Sequence, residues 1–140
     1  MRFLITVDDE DAEVVRAQVA YYLNGVVGAN RLLMRRHGRR IPHLYRSGVR
    51  YQIEPWAAEY QSASNCLEIL ERGWTECKGA SAWLCAWYRE RAANEDEARR
   101  NDFHIVARDY DLDTGRVRLF HVQVSRPDGS IEDPSKVLQQ

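Results

Sequence analysis

Three residues that lie far apart in the sequence, Cys77, His121 and Asp133, have the types needed for nucleophilic catalysis. Beyond Gly73, apolar residues recur at spacings of three and four: Ala80, Trp83, Leu84, Trp87 and Tyr88. We therefore expect Cys77 in the first turn of a helix, among unpaired backbone N–H groups that favour a thiolate and stabilise an oxyanion. Taken alone, a cysteine there is more often a small buried side chain, so its partners decide between the two interpretations.

His121 and Asp133 lie in a predicted β-hairpin. Residues 116–125 alternate like a strand, and the Pro127–Gly129 turn folds the next short strand back beside it. A tight hairpin brings Asp133 near His121, where the carboxylate accepts the imidazole N–H and fixes the tautomer. If the Cys77 helix packs on this sheet with its N-terminus over the imidazole, the three side chains are a nucleophile, a base and an orienting group.

The remaining patterns predict the elements that hold these residues. The predicted strands cover 2–7, 49–53, 103–110, 116–125 and 130–133. The predicted helices cover 10–36, 61–72 with Ser62 or Ser64 as cap, and 77–93, and loops or turns cover 37–47, 94–101 and 111–115. Helices that precede an antiparallel meander are typical of an α+β fold, and 140 residues suit a single domain over 1–140.

The segment from 49 to 138 resembles the transglutaminase-like cysteine-protease superfamily, in particular its small single-domain members encoded by phages and prophages. The similar stretches are Cys77 at the helix start, His121–Val124, Pro127–Ser135, Tyr51–Trp56 and Ile69–Gly73. The resemblance implies a papain-like core in which helices pack on an antiparallel β-sheet. It also implies a catalytic triad of Cys77, His121 and Asp133 that hydrolyses amide bonds or transfers the acyl group to an amine. A protein or peptide would be the substrate, and neither metal nor cofactor would be needed.

The sequence departs from that family directly after the cysteine. Family members usually have acidic residues there, whereas this chain has Lys78 and Gly79 and keeps only Glu76 before the cysteine. The Lys78 charge would lower the pKa of the thiol, or the change reflects a different substrate or activity. The candidate oxyanion donors are the Cys77 backbone N–H and the side chains of Trp74 and Gln61.

Two other functions fit parts of the sequence. Glu76–Gly79 has some likeness to the Asp-Cys-Ser-Gly pattern of peptidoglycan amidases and endopeptidases, although Asp133-Pro134 fits the transglutaminase-like hairpin better. Alternatively, the chain is a non-catalytic structural or binding module of a phage-related assembly, with a phage-particle protein or another protein as its partner. Its contact surface would then be a basic cluster that includes Arg35, Arg36, Arg39 and Arg40.

Composition and charge exclude several classes of function. A net charge of −1 does not favour nucleic acid as a partner, and acids at 8–11 and 13 can balance the basic cluster. No signal peptide or membrane-spanning run is evident, which predicts a cytoplasmic location, or a virion for a phage protein. Three cysteines without framework or zinc-ligand spacing predict free thiols in a reducing compartment, with Cys66 and Cys85 structural.

If Cys77 is the nucleophile, iodoacetamide should alkylate it near neutral pH at least about tenfold faster than Cys66 or Cys85, since only an activated thiol is accessible and ionised. Mass spectrometry of peptides from the folded, labelled protein measures the three rates separately. Equal labelling of the three cysteines would contradict this assignment.

Overall fold

The computed structural model describes residues 2–6, 12–52, 60–110 and 117–139. The helices are α1 (Ala12–His37), α2 (Cys66–Arg72), α3 (Cys77–Glu90), α4 (Glu95–Arg99) and α5 (Pro134–Leu138). The strands are β1 (Arg2–Thr6), β2 (Arg50–Tyr51), β3 (Tyr60–Ser64), β4 (Trp74–Thr75), β5 (Asp102–Tyr110), β6 (Val117–Ser125) and β7 (Ile131–Glu132). Two single 3₁₀ turns, Gly38–Arg40 and Leu44–Arg46, lie between α1 and β2.

The strands form three small sheets, of which the last carries the predicted hairpin. Strands β5, β6 and β7 are antiparallel in that order, and Val124 of β6 lies opposite Glu132 of β7. The other two sheets pair β1 with β3 in antiparallel fashion and β2 with β4 in parallel. The predicted α+β class and the antiparallel meander are therefore confirmed.

Helix α3 lies at the centre of the core. Every residue from Cys77 to Ala86 is buried, and the helix packs between α1 and β6. Its largest buried side chain, Trp83, is fully buried and donates its indole N–H to the Pro42 carbonyl at 3.2 Å. Strand β6 presents Phe120, Val122 and Val124 to this core. The predicted faces of β6 are confirmed for these positions, so the alternate residue His121 belongs to the opposite face.

The long first helix is also confirmed. It runs for 26 residues and continues without interruption through Gly25 and Gly28. Its buried face consists of valines and a leucine that recur with helical spacing: Val15, Val19, Leu23, Val26 and Val27. In the described part of the chain, neither this helix nor any other has an apolar stretch of the length that spans a bilayer.

The prediction of a helix over 61–72 is wrong in its first half. Residues 60–64 form β3, paired with β1, and α2 begins only at Cys66. The cap is Asn65 rather than Ser62 or Ser64: its side chain accepts from the Glu68 N–H at 3.0 Å. The Glu68 carboxylate in turn accepts from the Asn65 N–H at 3.3 Å. This capping box sets the helix start, and pairing with a distant strand makes the preceding residues extended.

Other boundaries also differ from the predictions. The segment 94–101 is not a plain connector, because Asn94 caps the short helix α4 through the Glu97 N–H at 2.9 Å. The predicted loop 37–47 contains the two 3₁₀ turns, and α3 ends at Glu90 rather than near 93. The predicted strand 49–53 is reduced to β2 in the described residues, and the predicted turn at 111–115 lies outside them.

Gly79 is needed at the start of α3 because Glu76 folds back over the first turn. The Glu76 carboxylate caps the helix by accepting from the Gly79 N–H at 2.6 Å. A Cβ at position 79 would lie 2.5 Å from Thr75 Oγ1, 2.8 Å from Glu76 Oε1 and 2.9 Å from Ile69 Cδ1. Close packing at the cap therefore explains why glycine occupies position 79, and this explanation does not depend on the function of the thiol.

Replacing Gly79 by alanine should lower the free energy of unfolding by about 1–3 kcal/mol, since the methyl group overpacks the cap. The matched control is Gly25→Ala in α1, where a Cβ meets nothing within 4 Å. There, the same change should raise stability by about 0.5–1 kcal/mol through helix propensity alone. Urea unfolding of both variants measures the difference, and a stabilising Gly79→Ala would contradict this account of the cap.

Candidate active site

The structure brings His121 and Asp133 into direct contact. His121 lies in β6 and Asp133 follows β7, so the hairpin at Pro127–Gly129 sets their separation. The distance from His121 Nε2 to Asp133 Oδ2 is 2.8 Å, and Gln123 Nε2 donates to the same oxygen at 3.2 Å. The first part of the predicted triad geometry is therefore present.

The Asp133 carboxylate is held in a charged state. Its other oxygen caps α5 by accepting from the Ser135 backbone N–H at 3.1 Å and from the Ser135 hydroxyl at 2.5 Å. Burial alone would raise the pKa of Asp133, but the hydrogen bonds from Ser135, His121 and Gln123 lower it to about 2. An ionised carboxylate only accepts, so we assign the imidazole proton to Nε2. Nδ1 is then the ring nitrogen that can accept a proton.

Cys77 lies at the edge of the same strand. It is the first residue of α3, as predicted, and the backbone N–H of Val122, the residue directly after His121, offsets part of the rise that burial causes in the pKa of its thiol. Among the described residues, no hydrogen bond joins the Cys77 thiol to His121 or Asp133. One helical turn later, Ser81 Oγ donates to the Val122 carbonyl at 3.0 Å. This hydrogen bond attaches the first turns of α3 to β6, at the residue that follows His121. The negative charge of Asp133 also reaches the thiol, because it contributes to the thiol pKa.

The expectation that the helix start lowers the thiol pKa is not met. Burial is the largest effect and raises the pKa of Cys77, while the Lys78 charge and the Val122 N–H lower it. The carboxylates of Glu76 and Asp133 raise it further. Desolvation was missed because the sequence does not report how deeply the first turn of α3 lies in the core. The predicted direction of the Lys78 effect is confirmed.

Cys66 and Cys85 differ from Cys77 in exposure and surroundings. Both are fully buried, and burial raises the pKa of each to about 12, whereas 8% of Cys77 is exposed. Cys85 Sγ interacts with the Asn101 carbonyl at 3.4 Å and therefore serves packing. Of the three free cysteines, Cys77 has the largest exposed fraction, and Cys85, like Cys77, has charged groups near its thiol.

The three candidate oxyanion donors have different surroundings. The Glu76 cap engages the Gly79 N–H rather than that of Cys77, so the cap does not occupy the Cys77 N–H. The Trp74 ring is covered by the Arg72 guanidinium, whose carbon is 4.0 Å from the ring centroid. Gln61 lies in β3, opposite Ile5, and its side chain is outside the described part of the structure.

Two tyrosines anchor the strand that precedes Asp133, and sequence analysis missed them. Tyr45 donates to Glu132 Oε2 at 2.5 Å, and Tyr88 of α3 donates to Oε1 of the same carboxylate at 2.8 Å. Burial and the bond to Glu132 raise the pKa of Tyr88 to about 12. The Arg126 guanidinium stacks on the Tyr88 ring at 3.3 Å. This Tyr–Glu–Tyr anchor ties β7 to α3 and so holds Asp133 at His121.

Part of the predicted basic surface is neutralised within the chain. Arg35 forms two hydrogen bonds with Glu90, at 2.9 and 2.7 Å, while 57% of its side chain stays exposed, so its role in a contact surface stays a prediction. Arg31 bonds Glu90 at 2.6 Å and Glu95 at 3.0 Å. Of the predicted balancing acids, 8–11 lie outside the described residues. Arg36, Arg39 and Arg40 are exposed, and their role as a contact surface also stays a prediction.

The described residues contain no group of three or more His, Cys, Asp or Glu side chains that could hold a metal ion. No family model, curated protein or solved structure matches this chain. The arrangement of the side chains themselves therefore supplies the argument about function. A paired imidazole and carboxylate can act as base and orienting group for a thiol that attacks a carbonyl.

Replacing Asp133 by asparagine should flatten the acid dependence of stability. A carboxylate whose pKa is lowered from 3.8 to about 2 stabilises the fold above about pH 4, and this contribution is lost as pH falls toward 2. The wild type should therefore lose about 1–2 kcal/mol more than Asp133→Asn between pH 5 and 2. Urea unfolding across this range measures the effect. The exposed Asp96→Asn, which removes the same charge, should keep the wild-type slope; parallel curves for both variants would contradict the prediction.

Proposed function

We propose that the chain is a transglutaminase-like thiol enzyme that acts on amide bonds through Cys77, His121 and Asp133. The observation that carries the proposal is the 2.8 Å hydrogen bond between His121 Nε2 and Asp133 Oδ2. Ser81, one helical turn after Cys77, donates to the carbonyl of Val122, the residue that follows His121. The attachment of α3 to β6 at the residue after His121 supports a thiol near the imidazole, and the proposal requires these two groups to meet when substrate binds. The papain-like core implied by the sequence resemblance belongs to the same proposal.

In the acylation step, His121 Nδ1 takes the Cys77 proton and the sulfur attacks the carbonyl carbon of the amide. The carbonyl electron pair moves to oxygen, and the Cys77 backbone N–H at the helix start stabilises the resulting oxyanion. Collapse of this intermediate breaks the carbon–nitrogen bond. The imidazolium gives its proton to the leaving amine, and a thioester remains on Cys77. Asp133 stabilises the imidazolium throughout.

In the second step, water or another amine attacks the thioester, and His121 Nδ1 accepts the proton that the attacking group loses. The sulfur leaves and recovers this proton, so the enzyme returns to its starting state. With water the product is a carboxylic acid, and with an amine it is a new amide. Both outcomes use the same three side chains, so the access of the acceptor to the site decides between them.

The burial of Cys77 supports a second candidate, a non-catalytic structural or binding module. Burial raises the pKa of this thiol, which is unfavourable for a nucleophile unless a bound substrate or the protonated imidazole stabilises the thiolate. The peptidoglycan amidase alternative uses the same side chains and differs in substrate only. The dependence of thiol reactivity on His121 separates an enzyme from a binding module.

The decisive measurement is therefore the alkylation rate of Cys77 at pH 7 in the wild type, His121→Ala and Asp133→Asn. The proposal predicts a loss of at least about tenfold in His121→Ala, because the imidazole no longer stabilises the thiolate, and a smaller loss in Asp133→Asn. His104→Ala, at an exposed position of β5, is the matched control and should leave the rate unchanged. Equal rates in all four proteins would favour the binding module.

Substrate class needs a separate assay. Dimethylcasein with dansylcadaverine reports hydrolysis as released peptides and acyl transfer as bound fluorophore, while purified peptidoglycan reports release of stem peptides. We expect casein turnover that Cys77→Ala abolishes. Release from peptidoglycan alone would instead select the amidase alternative. Residual casein turnover in Cys77→Ala would rule out the thiol as nucleophile.

A further inference from the structure

A second concave site lies away from the candidate active site, at the C-terminal ends of α1 and α3. This arginine cleft has a volume of about 420 Å³, with Met34, Ile41 and Trp87 on its floor and Arg39, Arg46 and Arg91 around its rim. Trp87 follows Cys77 by ten positions on α3, which corresponds to about 15 Å along a helix axis. The cleft is therefore distinct from the groups that surround the thiol.

The cations at the rim are not neutralised in the way that Arg31 and Arg35 are. None of the cleft-lining residues is acidic, and among the described residues no carboxylate forms an ion pair with Arg39, Arg46 or Arg91. Glu90, the neighbour of Arg91 in sequence, is engaged by the two arginines of α1. Three arginines thus line one concavity, and none of them forms an ion pair with a carboxylate of the described residues. Burial lowers the pKa of Arg91, and the charge of Glu90 offsets part of this effect.

The floor of the cleft is apolar and preformed. Met34 and Ile41 are 7% and 2% exposed, and the Arg91 guanidinium lies 3.1 Å above the Trp87 ring centroid. His43 also lines the cleft and packs edge-on against Trp87, with 5.1 Å between the ring centroids. Its Nδ1 accepts the Tyr45 N–H at 3.1 Å, and burial lowers the pKa of His43. The imidazole is therefore neutral, and the positive charge of the cleft comes from its arginines.

We propose that the arginine cleft binds an acidic peptide segment of a partner protein. Guanidinium groups match carboxylates with paired hydrogen bonds, so acidic side chains would dock on the rim. An apolar side chain between them would cover the exposed part of Trp87 and add buried apolar area to the carboxylate contacts. A compact phosphate would use the arginines but leave the apolar floor uncovered, so a segment that combines acidic and apolar side chains fits the cleft better.

This docking site goes beyond the proposed enzyme function and does not depend on it. The rim includes Arg39, which sequence analysis placed in the basic cluster, but it also takes Arg91 from a distant part of the chain. The structure thereby divides the basic cluster: Arg31 and Arg35 hold α1 to α3, while Arg39 and Arg46 face a ligand-sized cavity. A Cys77→Ala protein should bind the peptide as the wild type does.

The test uses two probe peptides, acetyl-Glu-Glu-Leu-Glu-Glu-amide and the same peptide with Phe at its centre, titrated into ¹⁵N-labelled protein. We expect saturable binding with a dissociation constant below about 1 mM, and shifts of the Trp87 indole signal larger than those of the buried Trp83. Peptides with Gln in place of every Glu should bind at least about tenfold more weakly.

The double variant Arg39→Glu/Arg46→Glu should weaken binding of the acidic peptides at least about tenfold. The matched control, Arg36→Glu/Arg40→Glu, makes the same charge change at exposed positions that do not line the cleft, and it should cost less than about threefold. Circular dichroism verifies folding, and Arg39→Gln/Arg46→Gln replaces the first variant if it unfolds.

Three results would overturn the docking site. The first is the absence of saturable shifts at Trp87 with either acidic peptide. The second is an equal loss of affinity in both double variants, which would indicate diffuse attraction to the whole basic surface. The third is tighter binding of inorganic phosphate, a nucleotide or a short oligonucleotide at the same signals, which would identify an anion site of another class.

Discussion

The contact between the first turns of α3 and the free edge of β6 determines where the candidate nucleophile and base lie. Strand β7 pairs with β6 only at Val124 and Ser125 in the described residues. The edge of β6 before Val124 is therefore contacted by α3 rather than by a strand. There the Ser81 hydroxyl donates to the Val122 carbonyl at 3.0 Å, and the Val122 N–H offsets part of the rise that burial causes in the pKa of the Cys77 thiol. Helix α3 therefore satisfies a backbone carbonyl that another strand would otherwise pair. The same contact holds the first turns of α3 at the residue that follows His121.

In this arrangement, the burial of Cys77 opposes the formation of a reactive thiolate. The first turn of α3 is deep enough that Glu76 and Lys78, both about 3% exposed, accompany Cys77 into the core. Glu76 is satisfied by the Gly79 N–H, and the Lys78 ammonium lies 5.8 Å from the Phe120 ring centroid. Desolvation penalises a thiolate here, and the cationic and N–H neighbours offset only part of that penalty. Cys85 also has charged neighbours, among them Arg89 and Asp102, whereas the pKa of Cys66 is shifted by burial and backbone N–H groups.

The features that could be predicted from the sequence are those determined by residues close together along the chain. The start of α3 follows from helical spacing after a glycine, and the His121–Asp133 contact follows from strand alternation and a Pro-Asp-Gly turn. Features that depend on distant partners could not be inferred in this way. Residues 60–64 became a strand because β1 lies beside them, and Arg35 pairs with a glutamate 55 positions away. The thiol pKa was misjudged for the same reason, because burial is a property of the packed core rather than of the helix start.

The Tyr45–Glu132 hydrogen bond spans 87 positions, and the bond from Arg16 to the Ile105 carbonyl spans 89. Contacts of such long range form only after large loops have closed, and the entropy lost in closing these loops slows folding. In the unfolded chain all three cysteines are exposed to solvent. In the folded chain they are buried in separate places, without disulfides. Folding thus protects Cys66 and Cys85 from oxidative crosslinking, because both are fully buried, and protects Cys77 less, because 8% of it is exposed.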